Sequence, residues 1–588
     1  MPDSQSPSSD PRRHDAPRGH ASRRQFLGRT AAGAFVLGAG TGLGSLVPAR
    51  PAEAATTAGD SSGFATAGHA AVSPAATAFG FTSSGGYYTV STGAGVTFQI
   101  SQSDGDMTSL TYNGTQLGAS SRPSNVESGL RAGAAVSAYQ TGNYIVVTES
   151  VDNWYGSGTL YHYFVVQSGV NNIYMATYVN AAGAGELRWI QSLDRTVLSD
   201  IYVPSDILDG TAIESTDIYT VDGQTRSKYY SNRQAMSLTV RGVTGSGVGV
   251  FMDFGTRESS AGGPFFRDIE QQGTDTSIQV YNYLWSAHNQ TEAQRLNVLY
   301  GPYALMVTNG SVPTAPDLSF MYDFGFQGTV GPSGRGYVSG TASGVASGAQ
   351  ATVGFANSTA QYWATPQANG SFTSPAMKAG TYTMTLYQNE LGVATSSVTV
   401  NAGATTGGQN IASGWYTPAS PVFRIGTWDG APTGFLNWPN LTWMHPSDTR
   451  NASWGPVTYT VGSSSAANFP SYQWKGVNNP TTIEFSLTGS QIQARTVRIG
   501  ITAAYAGGRP QITVNGWTSA APSPSSQPDS RSLTIGTYRG NNTLYTYSVP
   551  ASAFVTGTNT MTLTVISGSA GLGGYLEPGC SYDCVELY

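Results

Sequence analysis

Lys228 is the residue whose type and position best suit acid–base chemistry in this chain. It is the only lysine among the first 377 residues and lies in the segment Thr225-Arg226-Ser227-Lys228-Tyr229-Tyr230. Lysine can lose its proton when burial or a neighbouring cation lowers its pKa, so it can act as a general base. Residues two apart in a strand share a face, which predicts that Arg226 lies beside Lys228 and lowers its pKa. The alternative interpretation is a surface lysine.

Three further segments bring ionisable and aromatic residues together, at residues 185–190, 262–268 and 281–292. Tyr281 and Tyr283 are predicted on one face of a strand, where an aromatic row suits a groove for a sugar chain. The same row also suits the solvent face of an antiparallel sheet. Taken alone, His288 is more typical of a structural or surface residue than of a catalytic one.

Composition predicts an all-β protein of several domains. The chain has 588 residues, of which only 11% are charged, with 73 Gly and 33 Tyr. Runs of Thr, Ser, Val and Tyr are separated by Gly and Asn, as in strands joined by turns. After residue 55 no long amphipathic helix pattern is found. A chain of this length is too long for one hydrophobic core.

The N-terminus predicts export. A twin-arginine motif, Ser22-Arg23-Arg24-Gln25-Phe26-Leu27-Gly28, precedes an apolar stretch at 31–47 and the small-residue cleavage site Ala52-Glu53-Ala54. That stretch is too short and too rich in glycine for a membrane span. We therefore expect a removable signal over residues 1–54 and a secreted, extracellular protein.

The mature chain is acidic. Residues 1–54 carry seven Arg and four acidic side chains, so their removal changes the formal charge from −6 to −9. An acidic chain without basic runs argues against nucleic acid as a partner. Nothing in the sequence demands more than a monomer.

Changes in pattern predict four further segments. Residues 55–77 form a flexible linker rich in Ala, Gly, Ser and Thr. Residues 78–328 form a large β-sandwich, residues 329–408 a fibronectin-III-like sandwich, and residues 409–588 a jelly roll.

The two cysteines, Cys580 and Cys584, are too far apart within one extended strand to form a disulfide. We expect a buried thiol at Cys584 and a loop thiol at Cys580, although a turn between them would allow a bridge. Four tryptophans of the last segment suit either a sugar platform or core packing, and core packing is the preferred prediction: Trp428, Trp438, Trp443 and Trp454.

Ordered motifs along the chain resemble the rhamnogalacturonan lyases of polysaccharide lyase family 4, from residue 78 to residue 588. The matching segments are Asp209-Gly210-Thr211-Ala212-Ile213-Glu214, Thr225-Arg226-Ser227-Lys228, Gly262-Gly263-Pro264-Phe265, Gly301-Pro302-Tyr303, Gly340-Thr341-Ala342-Ser343-Gly344, Ser374-Pro375-Ala376-Met377-Lys378, Trp428-Asp429-Gly430, Met444-His445-Pro446-Ser447-Asp448, Ala506-Gly507-Gly508-Arg509-Pro510 and Asp583-Cys584-Val585-Glu586-Leu587.

This resemblance implies a catalytic super-sandwich, a fibronectin-III-like domain and a carbohydrate-binding-like jelly roll. It implies β-elimination on rhamnogalacturonan I, the pectin backbone of alternating rhamnose and galacturonate. The family's catalytic lysine and histidine fall on Lys228 and His288. Its substrate-binding arginine falls on Arg188, and two tyrosines fall on Tyr281 and Tyr283.

Such an elimination needs a base at C5, a cation near the uronate carboxylate and an acid at O4. Lys228 is expected to be the base and Arg188 the cation, with Arg226 and Arg267 as further substrate-binding cations. His288 would protonate the leaving oxygen or hold the carboxylate, and exchange of the lysine and histidine roles stays open. Tyr281 and Tyr283 would contact the flanking sugars.

No metal is expected for catalysis, because arginines can neutralise the uronate. A structural calcium in the jelly roll is a further expectation, with Asp583 and Asp429 as oxygen ligands.

Two other functions fit the residues. A glycoside hydrolase would need a pair of carboxylates at the cleaved bond. A non-catalytic pectin-binding protein would bind without turnover. The candidate carboxylates for a hydrolase are Glu186, Glu214, Asp217, Glu258 and Asp268.

Overall fold

The computed structural model describes residues 77–130, 133–183, 185–528 and 530–588. The predicted export signal, residues 1–54, lies outside them, and so does the predicted linker, residues 55–77, except for its last residue. The described residues form β-strands joined by turns and short 3-10 helices, with no α-helix among them. The prediction of an all-β protein is therefore confirmed. No helix in this part of the chain is long and apolar enough to cross a membrane.

The first region, residues 77–328, contains five β-sheets. Its strands are β1 (Gly80–Ser84), β2 (Tyr87–Ser91), β3 (Val96–Ser101), β4 (Met107–Tyr112), β5 (Thr115–Gln116), β6 (Asn125–Val126), β7 (Ala135–Thr141), β8 (Tyr144–Trp154), β9 (Gly158–Gln167), β10 (Asn172–Val179), β11 (Leu187–Leu193), β12 (Thr211–Glu214), β13 (Ile218–Val221), β14 (Gln224–Arg226), β15 (Arg233–Gln234), β16 (Arg241–Gly245), β17 (Val248–Asp253), β18 (Arg267–Asp268), β19 (Gln271–Gly273), β20 (Ile278–Trp285) and β21 (Val298–Thr308). Its 3-10 helices are Val203–Ser205, Lys228–Ser231, Ala235–Ser237 and Ser319–Phe324.

A seven-stranded antiparallel sheet, in the order β16-β17-β21-β10-β9-β8-β7, is the largest of the five. A five-stranded sheet, β1 to β5, and a four-stranded sheet, β19-β20-β11-β6, contribute to the same hydrophobic core. Phe98, Phe164 and Trp189 are fully buried there, one from each of the three sheets. Residues 77–328 thus form a multi-sheet sandwich.

Successive residues of β11 and β20 point to opposite faces of the four-stranded sheet, and only one of these faces packs against the core. Trp189 of β11 points into the core, whereas Arg188 and Ile190 belong to the other face. The antiparallel register pairs Arg188 with Tyr283 and Ile190 with Tyr281. Successive residues of a strand face opposite sides, so this register gathers Arg188 and both tyrosines on one surface.

The middle region, residues 329–408, has two sheets that share one core. One sheet has the order β25-β22-β26, with β29 and β30 also paired to β22, and the other has the order β24-β23-β27-β28. One 3-10 helix, Pro332–Gly334, precedes β22, and β30 lies just beyond residue 408 although it pairs with β22. The strands are β22 (Arg335–Ser343), β23 (Ala351–Ala356), β24 (Gln361–Ala364), β25 (Ser371–Thr373), β26 (Met377–Lys378), β27 (Gly380–Gln388), β28 (Leu391–Val400), β29 (Thr405–Thr406) and β30 (Ile411–Ala412).

The last region, residues 409–588, is a second sandwich of two five-stranded sheets. One contains β31, β40, β35 and β38 with β33 paired to β40, and the other has the order β32-β34-β39-β36-β37. The strands are β31 (Phe423–Gly426), β32 (Thr458–Thr460), β33 (Tyr472–Trp474), β34 (Thr481–Leu487), β35 (Arg495–Tyr505), β36 (Arg509–Val514), β37 (Trp517–Thr518), β38 (Thr543–Val549), β39 (Gly557–Ile566) and β40 (Gly579–Leu587). Its 3-10 helices are Trp438–Asn440, Ala466–Asn468, Gly489–Gln491, Ser532–Ile535, Ala551–Ala553 and Gly574–Leu576.

Both cysteines lie on β40, carry free thiols and are fully buried. The prediction of a buried thiol at Cys584 is confirmed. That of a loop thiol at Cys580 is wrong, because β40 already begins at Gly579.

The tryptophans of the last region pack into cores. Trp428 is buried, and the other three are half-buried against hydrophobic clusters: Trp438, Trp443 and Trp454.

Candidate active site

Lys228 opens a 3-10 helix, Lys228–Ser231, that follows directly on the short strand β14. Ser227 is extended and its hydroxyl accepts a hydrogen bond from the backbone N–H of Tyr229 at 3.2 Å, which caps the helix. The strand therefore ends at Arg226, and the two-residue periodicity does not extend to Lys228. The prediction that Arg226 and Lys228 share a strand face is wrong.

Arg226 has other partners than the lysine amine. Its guanidinium donates to Gln224 Oε1 at 3.0 Å, and the nearest strong charges are those of Arg450 and Asp448. Arg226 is therefore not the cation that lowers the pKa of Lys228.

The amine of Lys228 is mostly buried, with 18% of the side chain exposed. Its Nζ lies 3.8 Å from Asp217 Oδ1 and 5.4 Å from the centre of the Tyr229 ring. Burial lowers the pKa of Lys228 below its ordinary value, and the cations Arg188 and Arg531 lower it further. Asp217 and, more weakly, Glu186 act in the opposite direction. A larger share of this amine is neutral than for an exposed lysine.

His288 follows β20, and its imidazole lies beside Tyr229, the neighbour of Lys228. Its Nε2 lies 3.2 Å from the Tyr229 hydroxyl and 3.5 Å from Glu186 Oε1, while Nδ1 lies 3.2 Å from Ser286 Oγ. Burial lowers the pKa of His288 to about 4, aided by the charge of Lys228 and opposed by that of Glu186. The imidazole is therefore neutral near pH 7.

The guanidinium of Arg188 is fixed by hydrogen bonds to three residues. It donates from Nη1 to the Tyr283 hydroxyl at 2.7 Å, from Nε to the Glu127 carbonyl at 3.1 Å and from Nη2 to Ser128 Oγ at 3.1 Å. Glu186 Oε2 lies 3.3 Å from Nη1. Since charge-assisted hydrogen bonds are normally about 2.7–2.9 Å long, the Glu186 contacts to Arg188 and His288, at 3.3 and 3.5 Å, are loose.

The two tyrosines of β20 do not form a platform for sugars. Tyr281 is 4% exposed and Tyr283 only 1% exposed, and their rings lie 5.6 Å apart under the site. Tyr281 donates to Gln279 and lies near Gln272, whereas Tyr283 accepts from Arg188. They are on one strand face as predicted, but they support the site from below.

Arg267 belongs to a different cluster. Its guanidinium lies 5.7 Å from the centre of the Tyr538 ring, and Nη2 donates to the Tyr538 hydroxyl at 3.4 Å. The next charge is that of Glu390. Arg267 is half-buried against a residue of the last region, and its assignment as a substrate cation is not supported by its contacts.

The last region supplies a cation that sequence reasoning missed. Arg531 donates from Nη2 to Asp217 Oδ2 and from Nη1 to Glu214 Oε1, both at 2.8 Å. His445 Nε2 lies 3.1 Å from the other oxygen of Glu214. No sequence signal connects Arg531 to Lys228, because they lie about 300 residues apart. Tyr229, also missed, is signalled only by its adjacency to the lysine.

The same region also holds the segment that carries Lys228. The carboxylate of Asp448 accepts hydrogen bonds from the backbone N–H and the hydroxyl of Thr225 at 2.7 and 2.8 Å. Tyr230 donates to the carbonyl of Thr534 at 3.0 Å. Both ends of the lysine turn are therefore attached to the last region.

The calcium ligands expected at Asp583 and Asp429 lie side by side in the last region. Asp583 Oδ1 accepts the backbone N–H groups of Asp429 and Gly430 at 3.1 and 2.9 Å. Burial raises the pKa of both carboxyl groups. Asp429 raises the pKa of Asp583 further, whereas the hydrogen bond with Asp583 lowers the pKa of Asp429. Within the described ranges, no group of three or more His, Cys, Asp or Glu side chains is placed to hold a metal.

The residues around Tyr229 and Glu186 thus combine an amine with a lowered pKa, a neutral imidazole and a guanidinium, each partly buried. An amine and an imidazole can move a proton, and a guanidinium can bind a carboxylate. This is the equipment needed to remove a proton next to a carboxylate.

Comparison with known proteins gives matches along almost all of the described chain. Residues 79–328 match the family model "Rhamnogalacturonan lyase B, N-terminal", residues 334–407 match "Polysaccharide lyase family 4, domain II", and residues 421–587 match "Polysaccharide lyase family 4, domain III". Rhamnogalacturonate lyase A of Aspergillus aculeatus is 46% identical over 518 residues, which cover 87% of this chain and 96% of that protein. Rhamnogalacturonate lyase A of Emericella nidulans is 44% identical with the same coverage. A Paenibacillus xanthan lyase structure shares 10% identity at a TM-score of 0.21, covering 87% of this chain and 51% of its own.

Proposed function

Because the chain belongs to the rhamnogalacturonan lyases of polysaccharide lyase family 4, we propose that it cleaves rhamnogalacturonan I by β-elimination. The substrate is the pectic backbone of alternating rhamnose and galacturonate, cut at the rhamnose-(1,4)-galacturonate linkage by breaking the C4–O4 bond of galacturonate. The product carries a 4,5-unsaturated galacturonosyl non-reducing end. The observation that carries this proposal is the cluster in which Lys228 and His288 both contact Tyr229 while Glu186 links His288 to Arg188.

Lys228 takes the proton from C5 of galacturonate. The C5–H electron pair forms the C4=C5 double bond, and the C4–O4 bond breaks with its electrons on the leaving oxygen. The amine must be neutral to accept the proton, which its lowered pKa favours.

Arg188 neutralises the uronate carboxylate, on which negative charge develops as C5 loses its proton. Tyr283, Glu127 and Ser128 fix the guanidinium before substrate arrives. The substrate carboxylate takes over the loose contacts that Glu186 makes in the free protein. This carboxylate exchange needs no metal, so we propose catalysis without one.

His288 acts at the leaving oxygen. A neutral imidazole is a poor source of a full proton near pH 7, but its N–H can donate a hydrogen bond to the developing alkoxide. The alkoxide then takes its proton from solvent. In the reversed assignment neutral His288 is the base and protonated Lys228 the acid, and the pH dependence of activity separates the two.

The test follows the new double bond by its ultraviolet absorbance, with rhamnogalacturonan I as substrate and excess chelator present. Lys228→Ala should lose at least about 100-fold in kcat, as expected for a general base. Lys475→Ala, at an exposed lysine of the last region, is the matched control and should keep full activity. Absence of signal from the unmodified protein, or full activity of Lys228→Ala, contradicts the proposal.

The geometry disfavours hydrolysis. Glu258 is bound by Arg335 and Lys378, and Asp268 by Arg257, so both carboxylates are already paired with buried cations. Glu214 is occupied by Arg531 and His445. Asp217 remains near Lys228, and Glu186 near His288. Hydrolysis by these two carboxylates would give a product without the double bond. Membership of the family makes the chain a polysaccharide lyase, which overturns both the hydrolase and the non-catalytic alternatives.

We further propose that the chain is exported by the twin-arginine route and acts outside the cell as a monomer. The motif at Arg23 and Arg24 is the support for the route. Changing both arginines to lysine should retain the protein in the cytoplasm of its host. Light scattering on the mature protein should give the mass of one chain.

A further inference from the structure

Tyr155 is an exposed aromatic residue at the rim of the active site. It lies in the turn between β8 and β9 and keeps 47% of its surface exposed. Its hydroxyl lies 3.5 Å from Glu127 Oε1. Glu127 is the residue whose carbonyl accepts from Arg188, so Tyr155 is one residue removed from the cation that binds the uronate.

Two other contacts fix the ring of Tyr155. Trp154 packs edge-on against it, with the ring centroids 4.8 Å apart. On another side it covers Gly183, where a Cβ atom would lie 3.2 Å from Cε2 of the ring. Gly183 begins the stretch that leads to Glu186, so the ring bridges the two chain segments that build the Arg188 side of the site.

The backbone at this rim is held in an uncommon conformation. Tyr155 has φ +46°, and Glu127 has φ +58°. A left-handed conformation is disfavoured for side chains other than Gly, Asn and Asp, and it persists where the surroundings impose it. Here it directs an aromatic ring outward beside the site instead of into the core.

Resting on the proposed function, we propose that the ring of Tyr155 is a stacking platform for a sugar of the bound polymer, adjacent to the uronate held by Arg188. The apolar face of a pyranose ring packs on an aromatic face, which gives contact without demanding a particular hydroxyl pattern. The platform makes Tyr155 a specificity residue that favours long chains over short ones. Tyr281 and Tyr283 cannot play this role, because both are buried.

The kinetic test compares a long rhamnogalacturonan oligosaccharide with the shortest one that the protein cleaves. Tyr155→Ala should lower kcat/KM about tenfold on the long substrate, equal to about 1.4 kcal/mol, and leave the short substrate within about twofold. Tyr155→Phe keeps the ring and should behave like the unmodified protein. Tyr139→Ala is the matched control, since Tyr139 is equally exposed at 47% on the neighbouring strand β7.

Gly183→Ala provides a second variant that leaves Tyr155 in place. The added methyl group would lie 3.2 Å from Cε2 of the ring, which must then shift by a few tenths of an ångström, so kcat/KM should fall on the long substrate only and by less than in Tyr155→Ala. Equal losses on long and short substrates, or a loss in Tyr155→Phe as large as in Tyr155→Ala, would overturn the platform and leave only a role in holding Glu127.

Binding to a non-cleaving background separates this inference from the lyase proposal. In Lys228→Ala, calorimetric titration with the long oligosaccharide should show a Kd about tenfold higher when Tyr155→Ala is added, and no change when Tyr139→Ala is added. This measurement needs no turnover. If the unmodified protein fails to cleave, the lyase proposal is contradicted, but the titration still shows whether the ring of Tyr155 contributes to oligosaccharide binding. An unchanged Kd overturns the platform.

Discussion

Burial lowers the pKa of both nitrogen bases of the site, Lys228 and His288, but it has different consequences for their protonation. The pKa of His288 falls to about 4, so the imidazole is neutral over the working range. The pKa of Lys228 is lowered from a much higher starting value, with Asp217 limiting the fall. At the scale of single residues, the ionisation of Lys228 is therefore the variable on which activity depends.

The first prediction concerns pH. If neutral Lys228 is the base, kcat/KM on rhamnogalacturonan I rises with pH through the pKa of Lys228, which lies below its ordinary 10.5. His288 should add no inflection above about pH 5. A pH profile of initial rates measures this. A fall of kcat/KM with rising alkalinity would instead assign the acid role to Lys228.

Arg531 and Asp217 should move that profile in opposite directions. Arg531→Gln removes a cation and releases Asp217 towards the lysine, and both changes raise the pKa of Lys228. The half-maximal pH should rise by about half a unit or more. Asp217→Asn should lower it. Arg531→Lys keeps the charge and is the control; shifts of the same sign in the Arg531→Gln and Asp217→Asn variants would contradict this account.

At the scale of elements, the turn that carries Lys228 is short, and the sheet that it follows has only three strands, β12 to β14. Its position depends on a loop of the last region. The side chain of Asp448 is fully buried and takes hydrogen bonds from Thr225 and Arg450. Burial opposes its ionisation, but these bonds outweigh burial and hold the pKa of Asp448 well below its ordinary value.

Asp448→Asn should therefore destabilise the protein and reduce kcat together. Loss of a charged, buried hydrogen-bond acceptor costs about 1–3 kcal/mol. Because the folded pKa is depressed, the stability due to Asp448 is present above its unfolded pKa of about 3.9 and is lost as pH falls below it. Denaturant unfolding at two pH values measures this. Asp275→Asn, at an exposed aspartate, should change stability by less than about 0.5 kcal/mol.

At the scale of the whole molecule, buried polar contacts join the three regions. Glu258 of the first region accepts from Arg335 at 2.7 and 2.9 Å and lies 3.2 Å from Lys378. Glu390 of the middle region accepts from Gln234 and Tyr538, one from each of the other regions, both at 2.7 Å. These contacts make the last region part of the frame around Lys228.

Glu258→Gln should cost about 3–5 kcal/mol of unfolding free energy, because it leaves Arg335 and Lys378 buried without their counter-charge. Lys378→Met in the same chain should restore part of that loss, since it removes one of the two uncompensated cations. Denaturant unfolding of the single and double variants measures the coupling. Additive losses would show that Glu258 and Lys378 do not act as a pair.

His288 and Arg188 were assigned to the site only from the family resemblance. The residues and their order along the chain were enough to predict an all-β fold, Lys228 as a candidate base, and the side of β20 that bears Tyr281 and Tyr283. These are local properties, set by residue type and by the two-residue alternation of a strand. Where β14 ends, which cations surround the lysine, and whether a tyrosine is buried or exposed depend on contacts between distant segments. Arg531 meets Asp217 only because two sandwiches pack together, and Arg226 and Arg267 contact Gln224 and Tyr538 instead of the lysine cluster. Tertiary packing alone decided these points, since burial and neighbouring charge are properties of the folded chain and not of its order.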